Sequence, residues 1–437
     1  MMSPSKRPRR QFLQSAAAAA ASAFAAPYFV ASSVFSAPGR PGPNDQIGIG
    51  YIGCGRRSAQ LRNLPKDARI VAASDVDFRR AQAVADRYGG RAYDDYRRML
   101  DSDDVAAVVV ATPDHWHALP SIHACQAGKD VYCEKPLTLT IAEGRLMVAA
   151  ARKYQRVFQT GSQQRSMLAN RVAGQLVRDG RIGKIIEVIG HNYPSPWESE
   201  LPAQNGPRGL DWGAWCGQAP LRSFHNDIFT PRASPGWISF RDYSGGEMTG
   251  WGAHGLDQVQ WALGMDDSGP VEVWTDGGPF RPPTYASPES RNRGESRCSQ
   301  PRVFFRYANG VTLRLADGPR GGGVFVGERG RITIDRGGFR IEPTALSQEL
   351  LGEIELAGAD GNHLQNWIDC IKSRTRPVAD VAIGHRSATL CHLGNIARCV
   401  SRKLRWDPVK ETFPRDAEAS ALVARSQRPP YQLPQRL

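Results

Sequence analysis

The stretch that decides the fold runs from residue 47 to residue 58 and reads IGIGYIGCGRRS. Its first six residues form an apolar, β-branched run typical of a strand, and a helical pattern follows the glycines. Glycines let a diphosphate approach the backbone, and a helix N-terminus presents free N–H donors to it. The order strand, glycine turn, helix therefore predicts a dinucleotide-binding turn at Gly53, Cys54, Gly55 and Arg56.

A second glycine pattern overlaps the first one. Gly48, Gly50 and Gly53 match Gly-x-Gly-x-x-Gly literally, but this frame leaves only Ile47 as apolar strand before the turn. We prefer the later frame, in which Ser58 stands in for the third glycine as a small residue at the helix–strand contact.

An aspartate ends the next predicted strand. The strand covers Arg69 to Ser74, and Asp75 follows it where this fold places an acidic ribose ligand. A carboxylate there accepts hydrogen bonds from the ribose hydroxyls and repels a 2′-phosphate, which favours NAD over NADP. Nearby Arg79 and Arg80 leave NADP possible, and a surface aspartate that opens a turn is the alternative.

Strand and helix patterns alternate through the rest of the first half. Further strands are predicted at Val105–Ala111, Asp130–Cys133 and Val157–Thr160, and helices at Phe78–Tyr88, Ile122–Ala127 and Ile141–Tyr154. Continuous apolar strands of this kind belong to a parallel sheet that is covered on both faces. We therefore predict an α/β, Rossmann-type doubly wound domain over residues 44–164.

Shorter and more alternating strand patterns begin at about Arg165. They lie at Lys184–Gly190, Val271–Thr275, Arg302–Tyr307, Val311–Leu315 and Gly330–Ile334. This predicts a second, α+β domain over residues 165–437 with an open, largely antiparallel sheet. Apolar positions at helical spacing predict two helices that pack back on the first domain, at Asn362–Ser373 and Ala388–Val400. The last segment, Asp416–Leu437, is predicted to be a surface arm that reaches toward a neighbouring subunit.

Two motifs at the predicted strand ends resemble one family. Ala111-Thr112-Pro113 precedes His115 and His117, and Glu134-Lys135-Pro136 follows the next strand. From about Ile47 to the C-terminus the chain resembles the Gfo/Idh/MocA oxidoreductases, the glucose-fructose oxidoreductase and inositol dehydrogenase type. The resemblance implies that Thr112, Pro113, His115, His117, Glu134 and Lys135 line the nicotinamide pocket.

The resemblance assigns a catalytic role to Lys135, which in this family touches both the nicotinamide side and the reacting hydroxyl. A cation there lowers the energy of an alkoxide that develops as hydride leaves. Taken without the surrounding pattern, Glu134 and Lys135 would be a surface ion pair before a proline turn.

His254 and Asp257 are the remaining catalytic candidates. Their spacing of three within a helical stretch puts both side chains on one face, where His254 can take the hydroxyl proton and Asp257 can hold its tautomer. The alternative for His254 is a hydrogen-bonded core residue. Many family dehydrogenases have an aspartate at the position of Gly250, so this chain lacks one carboxylate of the proton relay. Either Asp257, Glu247 or a water takes the place of that carboxylate, or the reaction is not a simple oxidation of an alcohol.

Tryptophans concentrate between residues 197 and 261. Flat aromatic walls suit the C–H faces of carbohydrate, whereas core packing is the usual fate of a tryptophan. We assign Trp251, beside His254, and Trp237, in a segment flanked by proline and glycine, to the substrate pocket. Arg165 is a further substrate candidate, and the other tryptophans are predicted to lie in the core.

The N-terminus predicts export. A basic segment, the pair Arg9-Arg10 before Phe12-Leu13, and an uncharged Ala-rich run at residues 15–26 match a twin-arginine signal, with residues 1–43 as signal and linker. This route implies a periplasmic or otherwise exported protein that folds and loads a tightly held cofactor first, and keeps no stable membrane anchor after cleavage. A basic amphipathic first helix is the alternative.

Composition excludes other classes of function. The net charge is +13, and removal of Lys6, Arg7, Arg9 and Arg10 with the signal would leave 13 − 4 = +9, which is spread without a basic block. We therefore expect no nucleic acid partner. The eight cysteines form no Cys-x-x-Cys pair or zinc-spaced cluster, so neither a metal site nor a disulfide framework is expected.

These features together predict an enzyme that uses NAD, with NADP possible, to oxidise a secondary hydroxyl of a sugar or polyol. An exposed sheet face in the second domain favours a homo-oligomer, a dimer or tetramer. One alternative is an NAD-dependent glycosidase that works by transient oxidation and elimination. The second is a non-catalytic cofactor- or sugar-binding protein.

Overall fold

The computed structural model describes residues 46–230, 235–278, 280–287, 300–352 and 360–437. The predicted signal and linker at residues 1–43, like Cys298, lie outside the described residues. Export through the twin-arginine route therefore stays a prediction.

The first sheet has six parallel strands in the order β3-β2-β1-β4-β5-β6. They are β1 (Ile47–Ile52), β2 (Ala68–Ser74), β3 (Arg91–Tyr93), β4 (Ala107–Val110), β5 (Asp130–Cys133) and β6 (Phe158–Thr160). The helices between them are α1 (Arg56–Gln60), α2 (Phe78–Tyr88), α3 (Tyr96–Leu100), α4 (Ala118–Gln126) and α5 (Ile141–Lys153). The order reverses between β1 and β4, so a crevice opens at their carboxyl ends, and the predicted Rossmann fold is confirmed.

Both faces of this sheet are buried, which is why its strands are continuously apolar. Along β4, Val108 and Val110 join one hydrophobic cluster, and Ala107 and Val109 join the cluster on the opposite face. All four residues are 0% exposed. A strand with two covered faces has no polar side, so its sequence shows no alternation.

The second sheet has eight strands in the order β15-β14-β13-β7-β12-β11-β9-β16. They are β7 (Ile185–His191), β9 (Glu272–Thr275), β11 (Val303–Arg306), β12 (Thr312–Ala316), β13 (Gly323–Gly327), β14 (Arg331–Asp335), β15 (Gly338–Glu342) and β16 (Leu404–Arg405), and a separate two-stranded sheet pairs β8 (Glu198–Ser199) with β10 (Thr284–Tyr285). Only the β7–β12 pair in the eight-stranded sheet is parallel. The predicted second domain with a largely antiparallel sheet is confirmed.

The remaining helices complete the second half. They are α6 (Leu168–Arg178), α7 (Trp212–Cys216), α8 (Asn226–Phe229), α9 (Glu247–Gly250), α10 (Gly252–Ala262), α11 (Thr344–Gly352), α12 (His363–Ser373), α13 (Val381–Val400) and α14 (Ala417–Ala421). Residues from α6, α10 and α13 share one core cluster with the inward side chains of the second sheet, such as Val188, Leu313 and Phe325. On the opposite face Trp274 stacks on Phe304 with both side chains partly exposed. The homo-oligomer expected from an exposed sheet face stays a prediction.

The C-terminal part of the chain packs against the first sheet. Trp367 of α12 is 0% exposed, and its ring centroid lies 5.7 Å from that of Tyr132 on β5. The arm that was predicted to reach a neighbouring subunit folds back on its own chain, where Leu433 and Leu437 pack on the cluster that contains Val108. Two otherwise exposed leucines gain an apolar contact in this way.

Among the described residues, no helix has the length and apolar character needed to cross a membrane. The seven cysteines in the described ranges are free thiols, and all but Cys399 are buried.

The overlapping glycine pattern has a packing origin. Gly48 lies on β1, and a Cβ built on it would be 1.9 Å from the Asp104 carbonyl oxygen. Gly50, also on β1, leaves room for Met99. These two glycines serve strand packing, and the turn begins at Gly53 as the later frame predicts.

We expect Gly48→Ala to lower the free energy of unfolding by about 3 kcal/mol, because the clash is with backbone that cannot rotate away. Gly338→Ala is the matched control, since a Cβ there meets nothing within 4 Å, and its effect should stay within about 0.5 kcal/mol. Chemical denaturation of the two variants measures the difference. Equal stability of the two proteins would contradict the packing role of Gly48.

Candidate functional site

A cavity of about 910 Å³ opens at the carboxyl ends of β1 and β4 and extends to α10. Most of the predicted site residues line it: Gly53, Gly55, Arg56, Asp75, Thr112, Pro113, His117, Glu134, Lys135, Trp237, Trp251 and His254. The predicted residues Cys54, His115, Arg165 and Asp257 are not among its lining residues.

The glycine turn needs its first glycine for two reasons. Gly53 has a φ of +85°, in the left-handed region, and a Cβ there would lie 3.0 Å from the carbonyl carbon and oxygen of Ala111. Gly55 precedes α1, and a Cβ on it would meet only the Arg80 guanidinium, at 4.0 Å. α1 has only five residues, so its helix dipole is small. The backbone amides of the turn are therefore the main groups that could bind an anion here.

Cys54 contributes its backbone and not its side chain. Its amide donates to Asp75 Oδ2 at 2.7 Å, whereas its Sγ faces the Ser74 carbonyl at 3.6 Å and the side chain belongs to the core. Burial raises the pKa of this thiol far above its usual range, so it stays neutral. The Cys54 side chain thus lies outside the cavity, and the part of Cys54 in a dinucleotide-binding turn stays a prediction.

Asp75 holds the turn from the next strand. Besides the Cys54 amide, its carboxylate accepts the Asp77 amide at 2.9 Å, and it lines the cavity. Partial burial raises the pKa of Asp75, and these two N–H donors oppose that shift by stabilising the carboxylate. The carboxylate is thus fixed at the edge where a ribose would lie.

An ion pair closes one wall of the cavity. Arg57 donates to Glu134 Oε1 at 2.8 Å, and Gln163 donates to the same oxygen at 3.1 Å. Glu134 is 3% exposed, so this contact is largely shielded from water. Sequence reasoning missed Arg57 and Gln163, although the pair Arg56-Arg57 after the glycines was a signal.

Lys135 and His254 face the same cavity from the two domains. Lys135 Nζ donates to the Gly250 carbonyl oxygen at 3.1 Å, which ties the segment after β5 to α9. His254 lies in the first turn of α10 and is 5% exposed, with its ring centroid 5.7 Å from that of Trp251. A cation, an imidazole and an aromatic ring therefore line the same cavity as Asp75.

The two predicted histidines after β4 have different surroundings. His117 places Nδ1 2.7 Å from the Pro136 carbonyl and Nε2 3.0 Å from the Thr112 carbonyl, so its ring links two walls of the cavity. His115 is 0% exposed, and its Nε2 lies 2.8 Å from the Trp215 carbonyl. Burial lowers the pKa of His115 to about 4, and its ring packs against Trp215 and Tyr243. The cofactor contact predicted for His115 is therefore corrected to a neutral core histidine.

Asp257 and Arg165 form a buried ion pair with each other. The Arg165 guanidinium donates to both carboxylate oxygens of Asp257 at 2.9–3.0 Å, and Ser387 Oγ donates to Asp257 Oδ1 at 2.6 Å. Arg165 is 2% exposed and Asp257 is 1% exposed. This corrects two predictions: Asp257 binds Arg165 and Ser387 rather than His254, and Arg165 lies outside the cavity where a substrate would bind.

An aromatic wall of the cavity was missed by sequence reasoning. Trp116 lines the cavity and donates its Nε1 hydrogen to the Trp215 carbonyl at 2.9 Å. Tyr431, from the C-terminal arm, also lines it, with its ring centroid 5.3 Å from that of Trp116. No local motif marks Tyr431, because its place depends on an arm that returns from the far end of the chain.

Among the described residues, no group of three or more His, Cys, Asp or Glu side chains is arranged to hold a metal ion.

Two family models match the chain. The first, described as "Oxidoreductase family, NAD-binding Rossmann fold" under the name GFO_IDH_MocA, matches residues 46–162. The second, described as "Oxidoreductase family, C-terminal alpha/beta domain", matches residues 171–433. Together they cover both sheets and all residues that line the cavity except Gln163.

Curated relatives match over part of the chain. A 2,7-anhydro-N-acetylneuraminate hydratase from Mediterraneibacter gnavus is 31% identical over 36% of this chain and 41% of its own length. An inositol 2-dehydrogenase from Salmonella typhimurium is 30% identical over 38% of this chain and 48% of its own length. The chain thus spans less than half of the length of either relative.

A solved structure has the same fold. The WlbA dehydrogenase from Bordetella pertussis, in complex with NADH and UDP-GlcNAcA, matches 83% of this chain and 99% of that chain with a TM-score of 0.58. The sequence identity is 18%, so this likeness shows the fold alone.

We expect Asp257→Asn to lower the free energy of unfolding by about 3–5 kcal/mol, because it leaves the buried Arg165 guanidinium short of a countercharge. Asp266→Asn is the matched control. Asp266 also accepts from Arg165, at 2.7 Å, but its side chain is 29% exposed, so water replaces the lost contact and the cost should be about 1 kcal/mol or less.

Denaturant unfolding of the two variants distinguishes a structural Asp257 from a catalytic one. An Asp257→Asn protein with wild-type stability but no turnover would return this residue to its predicted role of holding the His254 tautomer.

Proposed function

Because the chain belongs to the Gfo/Idh/MocA oxidoreductase family, we propose that it is an NAD-dependent oxidoreductase that acts on a secondary hydroxyl of a sugar or polyol. One observation carries the proposal. Lys135 and His254 line the same cavity as the Gly53 turn and Asp75, so acid–base groups and dinucleotide-binding groups share one space.

The residues around the turn fit a dinucleotide. Gly53 and Gly55 both line the cavity, so a diphosphate can approach their backbone without meeting a side chain at either position. Arg56 and Arg57 line the cavity beside the turn and supply positive charge for a diphosphate. Asp75 accepts amide hydrogens already and has a carboxylate at the ribose edge, which supports NAD over NADP.

The opposite end of the cavity fits an alcohol. NAD, when bound, supplies the acceptor for the hydride that leaves the substrate carbon. In the proposal the Lys135 ammonium donates a hydrogen bond to the hydroxyl oxygen and stabilises negative charge on it as the C–H bond breaks. His254 takes the hydroxyl proton. Trp251 and Trp237 give the wall against which an apolar C–H face of a sugar packs.

The relatives support a carbohydrate or polyol as the substrate class. The Salmonella typhimurium relative is named for inositol, a polyol, and the Mediterraneibacter gnavus relative is named for an anhydro sugar acid. The Bordetella pertussis neighbour was solved with NADH and a nucleotide sugar.

A second candidate is cleavage of a glycoside by transient oxidation, elimination and re-reduction, with no net redox change. The hydratase among the relatives favours it, because hydration of a substrate also leaves the overall oxidation state unchanged. The same Lys135 and His254 would serve both reactions, so the products discriminate between them. A purely binding role is the least supported, because these two groups line the wall of one cavity with the dinucleotide turn.

The experiment that tests the proposal incubates wild-type protein and Lys135→Met with NAD and a panel of sugars, polyols and glycosides, and follows the products by mass spectrometry. We expect an oxidised product and stoichiometric NADH from the wild type, and turnover lower by about 10²–10³-fold in Lys135→Met, because the alkoxide loses its cation. The dissociation constant for NAD should change by less than about threefold.

Lys184→Met is the control, since Lys184 is exposed and lies outside the cavity, and it should behave as wild type. Cleaved glycoside without NADH would favour the second candidate. A wild-type protein that binds no NAD would refute both.

Cofactor choice is tested by Asp75→Asn. The variant keeps a single acceptor oxygen, whereas the Cys54 and Asp77 amides donate to different oxygens of Asp75, and it loses the charge. NAD affinity should therefore fall by about tenfold, and the preference for NAD over NADP should shrink. Asp94→Asn is the control, because Asp94 also lines the cavity but pairs with Arg98 on the exposed surface. Calorimetric titration with NAD and NADP measures both effects. Unchanged discrimination in Asp75→Asn would remove Asp75 from cofactor selection.

A further inference from the structure

The last part of the C-terminal arm, residues 427–437, joins the two parts of the chain that enclose the cavity. On the second domain, the Arg428 guanidinium donates to the carbonyl oxygens of Gly213 at 2.5 Å and Gly217 at 3.2 Å. On the first domain, Leu433 packs on the hydrophobic cluster that covers one face of the first sheet. The segment is therefore anchored on both domains.

Between these anchors, Tyr431 has a fixed place on the cavity wall. It lines the cavity together with Pro430, although neither residue belongs to a helix or strand. Its ring centroid lies 5.3 Å from that of Trp116, and the Arg428 guanidinium carbon lies 5.1 Å from the Tyr431 centroid. Its amide donates to the Arg428 carbonyl oxygen at 2.9 Å, which closes a turn. An edge-on indole, a cation over the ring and a closed turn together fix the orientation of the Tyr431 side chain.

Trp116 is held by the same part of the second domain as Arg428. Its Nε1 donates to the Trp215 carbonyl oxygen at 2.9 Å. Gly217 has no room for a side chain, because a Cβ built on it would lie 2.4 Å from Cε2 of the Trp116 indole. One short segment therefore positions two aromatic side chains of the cavity wall, Trp116 directly and Tyr431 through Arg428.

Two more rings complete an aromatic cluster, all of whose members line the cavity: Tyr96, Trp116, His123 and Tyr431. The Tyr96 ring centroid lies 6.1 Å from that of Trp116 and 5.9 Å from that of His123. Burial lowers the pKa of His123, and the nearby Arg97 charge adds to this shift, so the ring is uncharged at neutral pH. Uncharged flat rings are suited to stacking with a nucleobase.

The aromatic cluster lies on the Asp75 side of the cavity. Tyr96 begins α3, shortly after the edge strand β3, and the Asp75 amide donates to the carbonyl oxygen of Tyr93 on β3 at 3.3 Å. Lys135 follows β5, which β1 and β4 separate from β2 in the sheet. A dinucleotide with its diphosphate at the Gly53 turn and a ribose at Asp75 therefore places its adenine on the β3 side and its nicotinamide on the β5 side.

We propose that the aromatic cluster binds the adenine ring of NAD and that Tyr431 is the residue through which the C-terminal arm completes this part of the site. The inference rests on the proposed function only in taking NAD as the cofactor. Stacking on aromatic rings strengthens binding of the base, and an arm that is anchored on both domains slows its release. The affinity and the dissociation rate of NAD thus depend on a residue near the C-terminus.

The test replaces Tyr431 and measures, by calorimetric titration, the binding of NAD and of ADP-ribose, which carries the adenine end of the cofactor without the nicotinamide. In Tyr431→Ala both dissociation constants should rise by about tenfold, the change expected when a base loses an aromatic partner. Tyr431→Phe keeps the ring and should stay within about twofold of wild type. Tyr88→Ala is the control, because Tyr88 is exposed and lies outside the cavity lining, and it should bind both ligands as wild type does.

The role of the arm in cofactor release is tested by Arg428→Met, which keeps Tyr431 but removes the hydrogen bonds to the Gly213 and Gly217 carbonyl oxygens. Bound NADH should dissociate about three- to tenfold faster, as read by stopped-flow fluorescence during displacement by excess NAD. Arg171→Met is the control, since Arg171 is exposed and lies outside the cavity lining. An unchanged rate in Arg428→Met would overturn the role of the arm in release.

Unchanged binding of NAD and ADP-ribose by folded Tyr431→Ala protein overturns the proposal. If that variant does not fold, Tyr431→Leu, which keeps much of the side-chain volume but not the flat ring, decides in the same titrations. A wild-type protein that binds both ligands but turns over no sugar or glycoside would refute the proposed function, whereas the titrations would still decide the role of Tyr431. A wild-type protein that binds neither ligand would refute both.

Discussion

The absence of a side chain at Gly53 is the constraint on which the site depends. β1 and β4 lie side by side, and at their carboxyl ends the turn after β1 passes so close to the Ala111 carbonyl that no Cβ fits between them. This contact fixes the turn against the strand that leads to Thr112 and Pro113. The amides of the turn, the Asp75 carboxylate that holds one of them, and the wall after β4 therefore have one relative position, set by backbone packing.

The position of His254 depends on a different interaction. The buried pair of Arg165 and Asp257 joins the segment that follows the first sheet to α10. Desolvation of two charges is unfavourable, but two-sided hydrogen bonding and the second carboxylate, Asp266, offset it. Since the pair specifies which side of α10 faces the first domain, it also specifies that His254 lines the cavity opposite Lys135. The observed contribution of Asp257 to the site is thus its ion pair with Arg165.

Sequence patterns predicted those parts of the molecule that are decided locally. The apolar runs of β1, β4 and β5 and the motif around Lys135 are short and self-contained, and the structure places them at one crevice. Contacts between residues far apart in the sequence were not predictable. The sequence around Arg165 does not indicate that it pairs with Asp257, and the sequence around Tyr431 does not indicate that it packs near Trp116. β13 was missed for a different reason: it begins at Gly323, directly after Gly321 and Gly322. These three glycines weaken any strand pattern, although their backbone is packed too tightly for side chains.

The spacing of His254 and Asp257 shows a limit of predicting side-chain contacts from helical periodicity. A spacing of three puts two side chains on the same side of a helix, but it indicates a shared environment only when one face of the helix is apolar and the other is in water. In α10 every residue from Gly252 to Gln260 is buried, so the whole circumference meets protein or cavity. Two side chains that are close in angle then face different neighbours: the histidine lines the cavity, whereas the aspartate meets the Arg165 guanidinium. For a fully buried helix, the identity of each neighbour decides the chemistry of a residue, and periodicity gives no information about it.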